Sequence, residues 1–119
     1  MRGLIAAVLC LAAAPGLAQQ PGSFPADGPA IYRTACQGCH MPQGQGAVGA
    51  GTYPALAANP RLDPPDFAIL TILAGRRAMP AMGRFLSDAQ VAAVVGFIRT
   101  GLGNDFRAPV SPADVARLR

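Results

Sequence analysis

The sequence of 119 residues contains no lysine and no glutamate, and it has only one histidine and three cysteines. Its ten positive charges are therefore all arginine, and its six negative charges are all aspartate. These arginines form no dense basic stretch, so composition gives no indication of nucleic-acid binding. No paired carboxylates or activated nucleophile indicate a hydrolytic site. No segment alternates apolar and polar residues as a half-buried strand does.

Because cysteine and histidine are scarce, few interpretations remain for one motif, Cys36-Gln37-Gly38-Cys39-His40. A zinc site would need further ligands, and a redox dithiol would be expected in a βαβ context, which the chain lacks. Two cysteines three apart followed by histidine predict attachment of a c-type haem. The thiols add across two vinyl groups as thioethers, and Gly38 is expected to permit the tight turn this needs. His40 then lies under the iron as an axial ligand.

The only long apolar run lies at the amino end. Residues Leu4–Ala14 are almost entirely apolar, which is shorter than the roughly 20 residues that span a bilayer. With Arg2 before it and small residues at Gly16 and Ala18, Met1–Ala18 is predicted to be a secretory signal peptide. An uncleaved anchor is the alternative. The predicted location is the periplasm.

The predicted organisation is a signal peptide at 1–18, a flexible lead-in at 19–26, one domain at 27–103 and a carboxyl-terminal extension at 104–119. Start and stop signals predict three main helices. The first begins at Asp27, the second runs from Asp63 to Gly75, and the third runs from Ser87 to Gly101. A short helix over Pro112–Leu118 is predicted in the extension, and the glycine-rich segment Met41–Tyr53 is predicted to be a loop. The fold class is therefore all-α.

Beyond the haem motif, the sequence resembles class I cytochromes c of the small bacterial single-haem kind over nearly all of 27–101. The residues that carry this resemblance are Gly28 and Tyr32 before the motif, Val94 and Phe97 in the last main helix, and Leu73-Ala-Gly-Arg-Arg-Ala-Met79-Pro80-Ala-Met82-Gly83 followed by Leu86-Ser87-Asp88. The resemblance implies a cytochrome c fold, with three main helices and short helices wrapped around one covalently attached haem. It also implies that the last main helix crosses the first at Gly28. The sequence departs from the family at Met41, where glycine is usual and little effect is expected, and at Met82, where phenylalanine is usual.

The sixth iron ligand is expected to be a methionine, because a thioether suits haem iron. Met41 is next to His40 and cannot reach the opposite face of the haem, which leaves Met79 and Met82. The resemblance favours Met79, which stands directly before Pro80. It further implies that the Pro54 carbonyl accepts the hydrogen bond of the axial histidine. The expected walls of the haem pocket are Leu56, Leu70, Leu73 and Phe85, and weaker candidates for the propionates are Tyr53, Asn59 and Arg61.

The predicted function is electron transfer on His/Met-ligated haem c, between a periplasmic dehydrogenase and a terminal oxidase or larger cytochrome. Arg76, Arg77 and Arg84 are expected to form a docking rim for redox partners at the haem edge. The tail from Gly103 to Arg119 resembles that of cytochromes that are partners or subunits of quinoprotein or molybdenum dehydrogenases. A tightly bound dehydrogenase subunit is therefore one alternative. A ligand-binding or peroxidatic haem protein, which needs a sixth position that opens, is the other.

Overall fold

The computed structural model describes residues 23–119. The predicted signal peptide and residues 19–22 of the predicted lead-in lie outside this range. The rest of the lead-in contacts the domain: Phe24 packs at the edge of the core, and the Gln90 side chain donates to the carbonyls of Phe24 and Pro25 at 2.8 and 3.0 Å. Contacts with the domain thus begin at Phe24, a few residues before the predicted boundary.

The secondary structure of the described residues is almost all helical, with one small two-stranded sheet. The elements in chain order are α1 (Gly28–Ile31), a π-helical turn (Tyr32–Cys36), α2 (Gln37–His40), β1 (Ala47–Val48), β2 (Thr52–Tyr53), a 3₁₀ turn (Pro60–Leu62), α3 (Asp66–Ala74), α4 (Asp88–Thr100) and α5 (Pro112–Ala116). This confirms the helical fold class. The three predicted main helices are the continuous helical segment 28–40, α3 and α4. Within residues 23–119, no helix has both the length and the apolar character needed to cross a bilayer.

The first helical segment starts where the sequence predicts. The Asp27 carboxylate accepts a hydrogen bond from the Ala30 amide at 2.9 Å, and Pro29 occupies the first turn. The helix then widens into the π turn Tyr32–Cys36 before it closes again as α2. A π turn within an α-helix often marks a functional site. Here it ends on the first cysteine of the haem motif.

The predicted helix crossing is confirmed. An added Cβ at Gly28 would lie 2.2 Å from the Ala93 carbonyl oxygen and 2.8 Å from Phe97 Cβ, so α1 and α4 approach with almost no space between their backbones. One turn further along, the rings of Tyr32 and Phe97 meet at 5.4 Å with an interplanar angle of 57°. This geometry is favourable for an aromatic pair. Only glycine fits at position 28, which explains why the residue stands there.

The start of α3 differs from the prediction. The helix begins at Asp66 rather than at Asp63, and no side chain caps it. Asp63 instead accepts a hydrogen bond from Arg99 Nη2 of α4 at 2.7 Å. The predicted end is confirmed, because Gly75 follows the helix with φ 72°, a conformation that glycine adopts without strain.

The sequence analysis missed a buried arginine in α4. Arg99 is completely buried, and besides Asp63 it donates to the carbonyls of Leu62 and Ala108 at 2.8 and 2.6 Å. A buried guanidinium is tolerated when such bonds satisfy its donors. The signal was present in the sequence, because Val91, Val95 and Arg99 recur at intervals of four on the apolar face of the helix.

The predicted carboxyl-terminal extension packs against the domain. Helix α5 is shorter than predicted, and its Val115 is fully buried. Asn104 joins three segments: its side chain donates to the carbonyls of Leu56 and Ile98 and accepts from the Asn59 amide, each at 2.8 Å. Helix α4 packs against both the first helical segment and α5.

The glycine-rich segment predicted as a loop contains a small antiparallel hairpin. Strands β1 and β2 pair in the register Ala47 with Tyr53 and Val48 with Thr52. Two residues per strand are too few for alternation to be visible in the sequence, so the prediction of no strand was wrong at this place. The hairpin ends directly before Pro54, whose position matters for the site.

Candidate haem-attachment site

The motif Cys36–His40 lies at the end of the first helical segment. Cys36 closes the π turn, and Cys39 and His40 lie in α2. Gly38 lies within α2, and an added Cβ there would meet no protein atom within 4 Å, so the protein backbone by itself does not require glycine at this position. Helical geometry alone, widened by the π turn, places the two thiols one turn apart.

His40 is held in one orientation. Its side chain is buried, with 8% of the residue exposed, and its Nδ1 lies 2.9 Å from the Pro54 carbonyl oxygen. A carbonyl can only accept, so Nδ1 carries a proton in this contact, and in the neutral imidazole Nε2 then keeps its lone pair. The Gly46 amide also donates to the His40 carbonyl at 3.0 Å, which ties the hairpin to the helix end. The side chain is thus prepared to bind a metal through Nε2.

The two thiols differ in their surroundings. Cys36 is half-buried and Cys39 is exposed. Burial, together with the neighbouring charge of Cys39, raises the pKa of the Cys36 thiol to about 11. In the chain without thioether bonds, Cys36 is therefore the less reactive of the two sulfurs.

Met41 has a backbone conformation that methionine rarely adopts. Its φ of 68° and ψ of 160° fall in a region that is occupied almost exclusively by glycine. The Tyr32 hydroxyl donates to the Met41 carbonyl at 2.7 Å and helps to hold this peptide in place. Burial raises the pKa of that hydroxyl, so it remains a donor. The structure therefore predicts backbone strain at this position, where the sequence alone predicted little effect of methionine.

The segment between α3 and α4, residues 76–86, carries both candidate methionines, and we call it the methionine loop. Met79 exchanges two backbone hydrogen bonds of 3.0 Å with Arg76, which makes a tight reverse turn. Met82 donates its amide to the Ile72 carbonyl at 2.8 Å. Both methionine side chains are half-buried against the core, so Met79 stays the predicted ligand and Met82 the alternative.

The predicted pocket walls divide into two groups. Leu56 and Leu73 are half-buried and pack against the core. Leu70 and Phe85 are 45% and 64% exposed. Leu70 lines a surface groove of about 270 Å³ beside Phe67. The assignment of these four residues to the haem pocket remains a prediction.

The weaker candidates for the propionates have other contacts. The Asn59 amide group is occupied by the backbone, since it donates to the Ala55 carbonyl at 2.7 Å and accepts from the Arg61 amide at 3.0 Å. The guanidinium of Arg61 lies 5.7 Å from the centre of the Phe67 ring, within cation–π distance. Tyr53 is in β2 and partly exposed. The Asn59 side chain therefore bridges two backbone groups of its own segment, and its role toward a propionate remains a prediction.

The predicted docking arginines are all exposed. Across residues 23–119, Arg76, Arg77 and Arg84 form no ion pair with a carboxylate. The guanidinium of Arg76 lies 5.7 Å from the centre of the Phe67 ring, so its neighbour is an aromatic ring and not a carboxylate. The positive charge of the methionine loop thus faces solvent.

Residues 24–98 match the protein family described as cytochrome c oxidase, cbb3-type, subunit III. The chain belongs to this family of c-type cytochromes. It is 34% identical over 105 residues to the cytochrome c subunit of a quinone alcohol dehydrogenase from Gluconobacter oxydans, covering 77% of this chain and 22% of that protein. It is 35% identical over 106 residues to the cytochrome c subunit of gluconate 2-dehydrogenase from Pantoea cypripedii, covering 77% of this chain and 24% of that protein. The chain thus spans about a quarter or less of the length of these relatives.

A c-type cytochrome domain carries covalently bound haem c, which confirms the predicted cofactor. The donor set of this cytochrome fits the group. A helical turn offers two sulfurs, the adjacent imidazole is oriented by Pro54 with Nε2 available, and a loop with two methionines follows α3. The description of the family concerns an oxidase subunit and those of the relatives concern dehydrogenase subunits, so family membership alone does not specify the redox partner.

Proposed function

We propose that this cytochrome is an electron-transfer protein with Cys36 and Cys39 as thioether sites, His40 as one axial ligand and Met79 as the other. Haem c supplies reversible one-electron exchange at its iron when bound. The protein residues hold both axial positions, exclude water and present a docking surface. The setting that we propose is the periplasm, as the predicted signal peptide indicates, between a dehydrogenase and a terminal oxidase or larger cytochrome.

The observation that carries this proposal is the 2.9 Å contact between His40 Nδ1 and the Pro54 carbonyl. This contact favours the tautomer with the proton on Nδ1, in which Nε2 is free to bind a metal. Such outer partners orient metal-binding imidazoles and tune their basicity. A histidine that served only as a packed core residue would not need this arrangement beside two free cysteines.

The thioether assignment is tested by denaturing the haem-loaded protein. The wild type should retain haem on a denaturing gel, and Cys36→Ser combined with Cys39→Ser should abolish retention. Haem that acid-acetone extracts from the wild type would refute covalent attachment.

The sixth ligand is tested by the matched pair Met79→Ala and Met82→Ala. Met79→Ala should remove the weak near-infrared band that reports Fe–S(Met) bonding and should lower the reduction potential, because a soft ligand that favours ferrous iron is lost. Met82→Ala should leave both nearly unchanged. The opposite pattern would move the assignment to Met82. Rapid binding of carbon monoxide by the reduced wild type would instead favour the ligand-binding or peroxidatic alternative.

The docking rim that we propose consists of Arg76, Arg77 and Arg84 on the methionine loop. Their exposure and their freedom from ion pairs within the described residues support it, since unpaired charges steer an oppositely charged partner over longer distances. Arg76→Glu with Arg77→Glu should slow bimolecular electron transfer to an acidic partner by about tenfold at low salt. The deficit should shrink as the screening length falls to about 8 Å near physiological salt.

The control for this experiment is a second double charge reversal outside the loop, Arg33→Glu with Arg107→Glu. Both residues are exposed, and the net charge changes equally. Equal slowing by the two double variants would show that net charge, and not this rim, determines the rate. An unchanged, salt-independent rate in the loop variant would show that the partner docks elsewhere.

The second candidate function is a tightly held cytochrome unit of a dehydrogenase complex, which the names of the relatives favour. Isolation of the native protein from its host separates the two. Copurification with a dehydrogenase through size exclusion at high salt would support the subunit function, and elution at the mass of the single chain would support a free carrier.

A further inference from the structure

The inner edge of the methionine loop is bonded to the end of α3. The amides of Met82 and Gly83 donate to the carbonyls of Ile72 and Leu73 at 2.8 and 3.2 Å. Carbonyls in the last turn of a helix have no partner within the helix, so these loop amides complete the end of α3. The carbonyls of Gly83 and Leu86 are not used by α3.

These outer carbonyls are held by a residue from the other end of the domain. Arg119 Nη2 donates to the Leu86 carbonyl at 3.0 Å, Nη1 donates to the Gly83 carbonyl, and Nε donates to the Asp88 carboxylate at 2.7 Å. All three nitrogens of one guanidinium are thus used within six residues of chain. The planar fork of arginine is suited to such multiple contacts, whereas an ammonium group is not.

Helix α5 brings Arg119 to this position. Ser111 caps the helix, and the Asp114 carboxylate accepts a hydrogen bond from the Ser111 amide at 2.8 Å. Val115 is fully buried against the core. A second arginine of the same tail, Arg117, pairs with Asp66 of α3 at 3.4 Å, and its side chain forms no hydrogen bond or ion pair with the methionine loop. The helix cap, the buried Val115 and the Arg117 ion pair therefore hold the tail in place before the chain reaches the methionine loop.

We propose that Arg119 is a positioning residue for the axial methionine, because it closes the methionine loop from the outside. This inference rests on the proposed methionine ligation and adds to it the residue that keeps the sulfur in place. Exposed loops open locally at a lower free energy than the core does. A tether from α5 to the carbonyls of Gly83 and Leu86 couples opening of the loop to release of the tail.

The test compares Arg119→Ala with the matched control Arg117→Ala in the haem-loaded protein. The first measurement is hydrogen exchange at the amides of Met82, Gly83 and Leu86. The second is the rate at which cyanide replaces the axial methionine in the oxidised protein, which depends on opening of the loop. Arg119→Ala should raise exchange and the cyanide rate by about tenfold, as expected when hydrogen bonds that resist opening are lost. Arg117→Ala should change neither.

Two results would overturn the inference. One is equal behaviour of the two alanine variants, and the other is an increase in exchange at the core amide of Val95 as large as that in the loop, which would indicate general destabilisation. Arg119→Lys should restore only part of the wild-type behaviour, and full restoration would refute the role of the guanidinium fork. A wild type without the Fe–S(Met) band would refute the proposed ligation, and exchange alone would then decide whether Arg119 holds the loop.

Discussion

Replacement of Gly28 by alanine tests the closest contact of the fold. The new Cβ would lie 2.2 Å from the Ala93 carbonyl oxygen and 2.8 Å from both the Ala93 carbonyl carbon and Phe97 Cβ. Comfortable separations of such atoms are about 3.5–4.0 Å, so α4 would have to move by more than about 1 Å. The clashing atoms belong to backbone or lie close to it, and no side-chain rotation relieves them.

This movement would also pull Phe97 away from Tyr32, whose rings are 5.4 Å apart. Such a pair contributes about 0.5–1.5 kcal/mol beyond its buried area. Overpacking of a tight site costs typically about 1–3 kcal/mol, so we expect Gly28→Ala to lower the free energy of unfolding by about 2–3 kcal/mol. The measurement is guanidinium-induced unfolding of the haem-loaded protein, followed by far-ultraviolet circular dichroism.

The matched control is Gly96→Ala in α4. An added Cβ at Gly96 meets no atom within 4 Å, and alanine favours the interior of a helix over glycine by about 1 kcal/mol. This variant should therefore be as stable as the wild type or more stable. A loss below about 0.5 kcal/mol for Gly28→Ala would refute the reasoning, because it would show that the two helices separate at little cost.

Three further predictions concern the haem motif and the last helix. In the haem-free chain, iodoacetamide should modify Cys39 before Cys36, because burial keeps the Cys36 thiol protonated, as mass spectrometry of the labelled peptides would show. Met41→Gly should raise the free energy of unfolding by about 1 kcal/mol, because glycine adopts this backbone conformation without strain. Chemical denaturation measures this free energy, and a lower value for the variant than for the wild type would contradict the prediction. Hydrogen bonds from Ser111 lower the pKa of the Asp114 carboxyl in the folded protein. The stabilisation of the fold by these bonds is therefore complete at pH values above the pKa of an ordinary carboxyl, and it is lost as the pH falls through the lowered pKa of Asp114. In Ser111→Ala the Asp114 pKa should rise towards its ordinary value in a titration followed by nuclear magnetic resonance.

Local rules explain why much of the fold was predictable. Asp27, Ser87 and Ser111 cap the helices as expected, because a side-chain oxygen next to a free helical amide needs no information from the rest of the chain. The haem motif is also local, since its five residues are consecutive in the chain. Gly28 was predictable only through the resemblance, because nothing near it in sequence reveals the backbone that lies against it.

The features that the sequence did not reveal depend on residues far apart in the chain. Asp63 has the position of a helix cap, yet it pairs with Arg99, which lies 36 residues later. Asn104 reads as a polar residue of a tail, yet it bonds to segments more than 40 residues earlier. The conformation of Met41 was missed for another reason: its φ is set by the contacts of the helix end and the hairpin, while methionine itself favours a different conformation.

The crossing of the first and last main helices has a consequence for the order of events when the chain is made. A chain that emerges from its amino end presents the motif Cys36–His40 well before α4 exists to cover Gly28 and Tyr32. During this interval both thiols are open to solvent, and the burial that raises the pKa of Cys36 has not yet occurred. Covalent attachment therefore has an early window before Cys36 is buried; folding of the domain ends this window for Cys36, whereas Cys39 stays exposed. Slower emergence of the second half of the domain should lengthen that window.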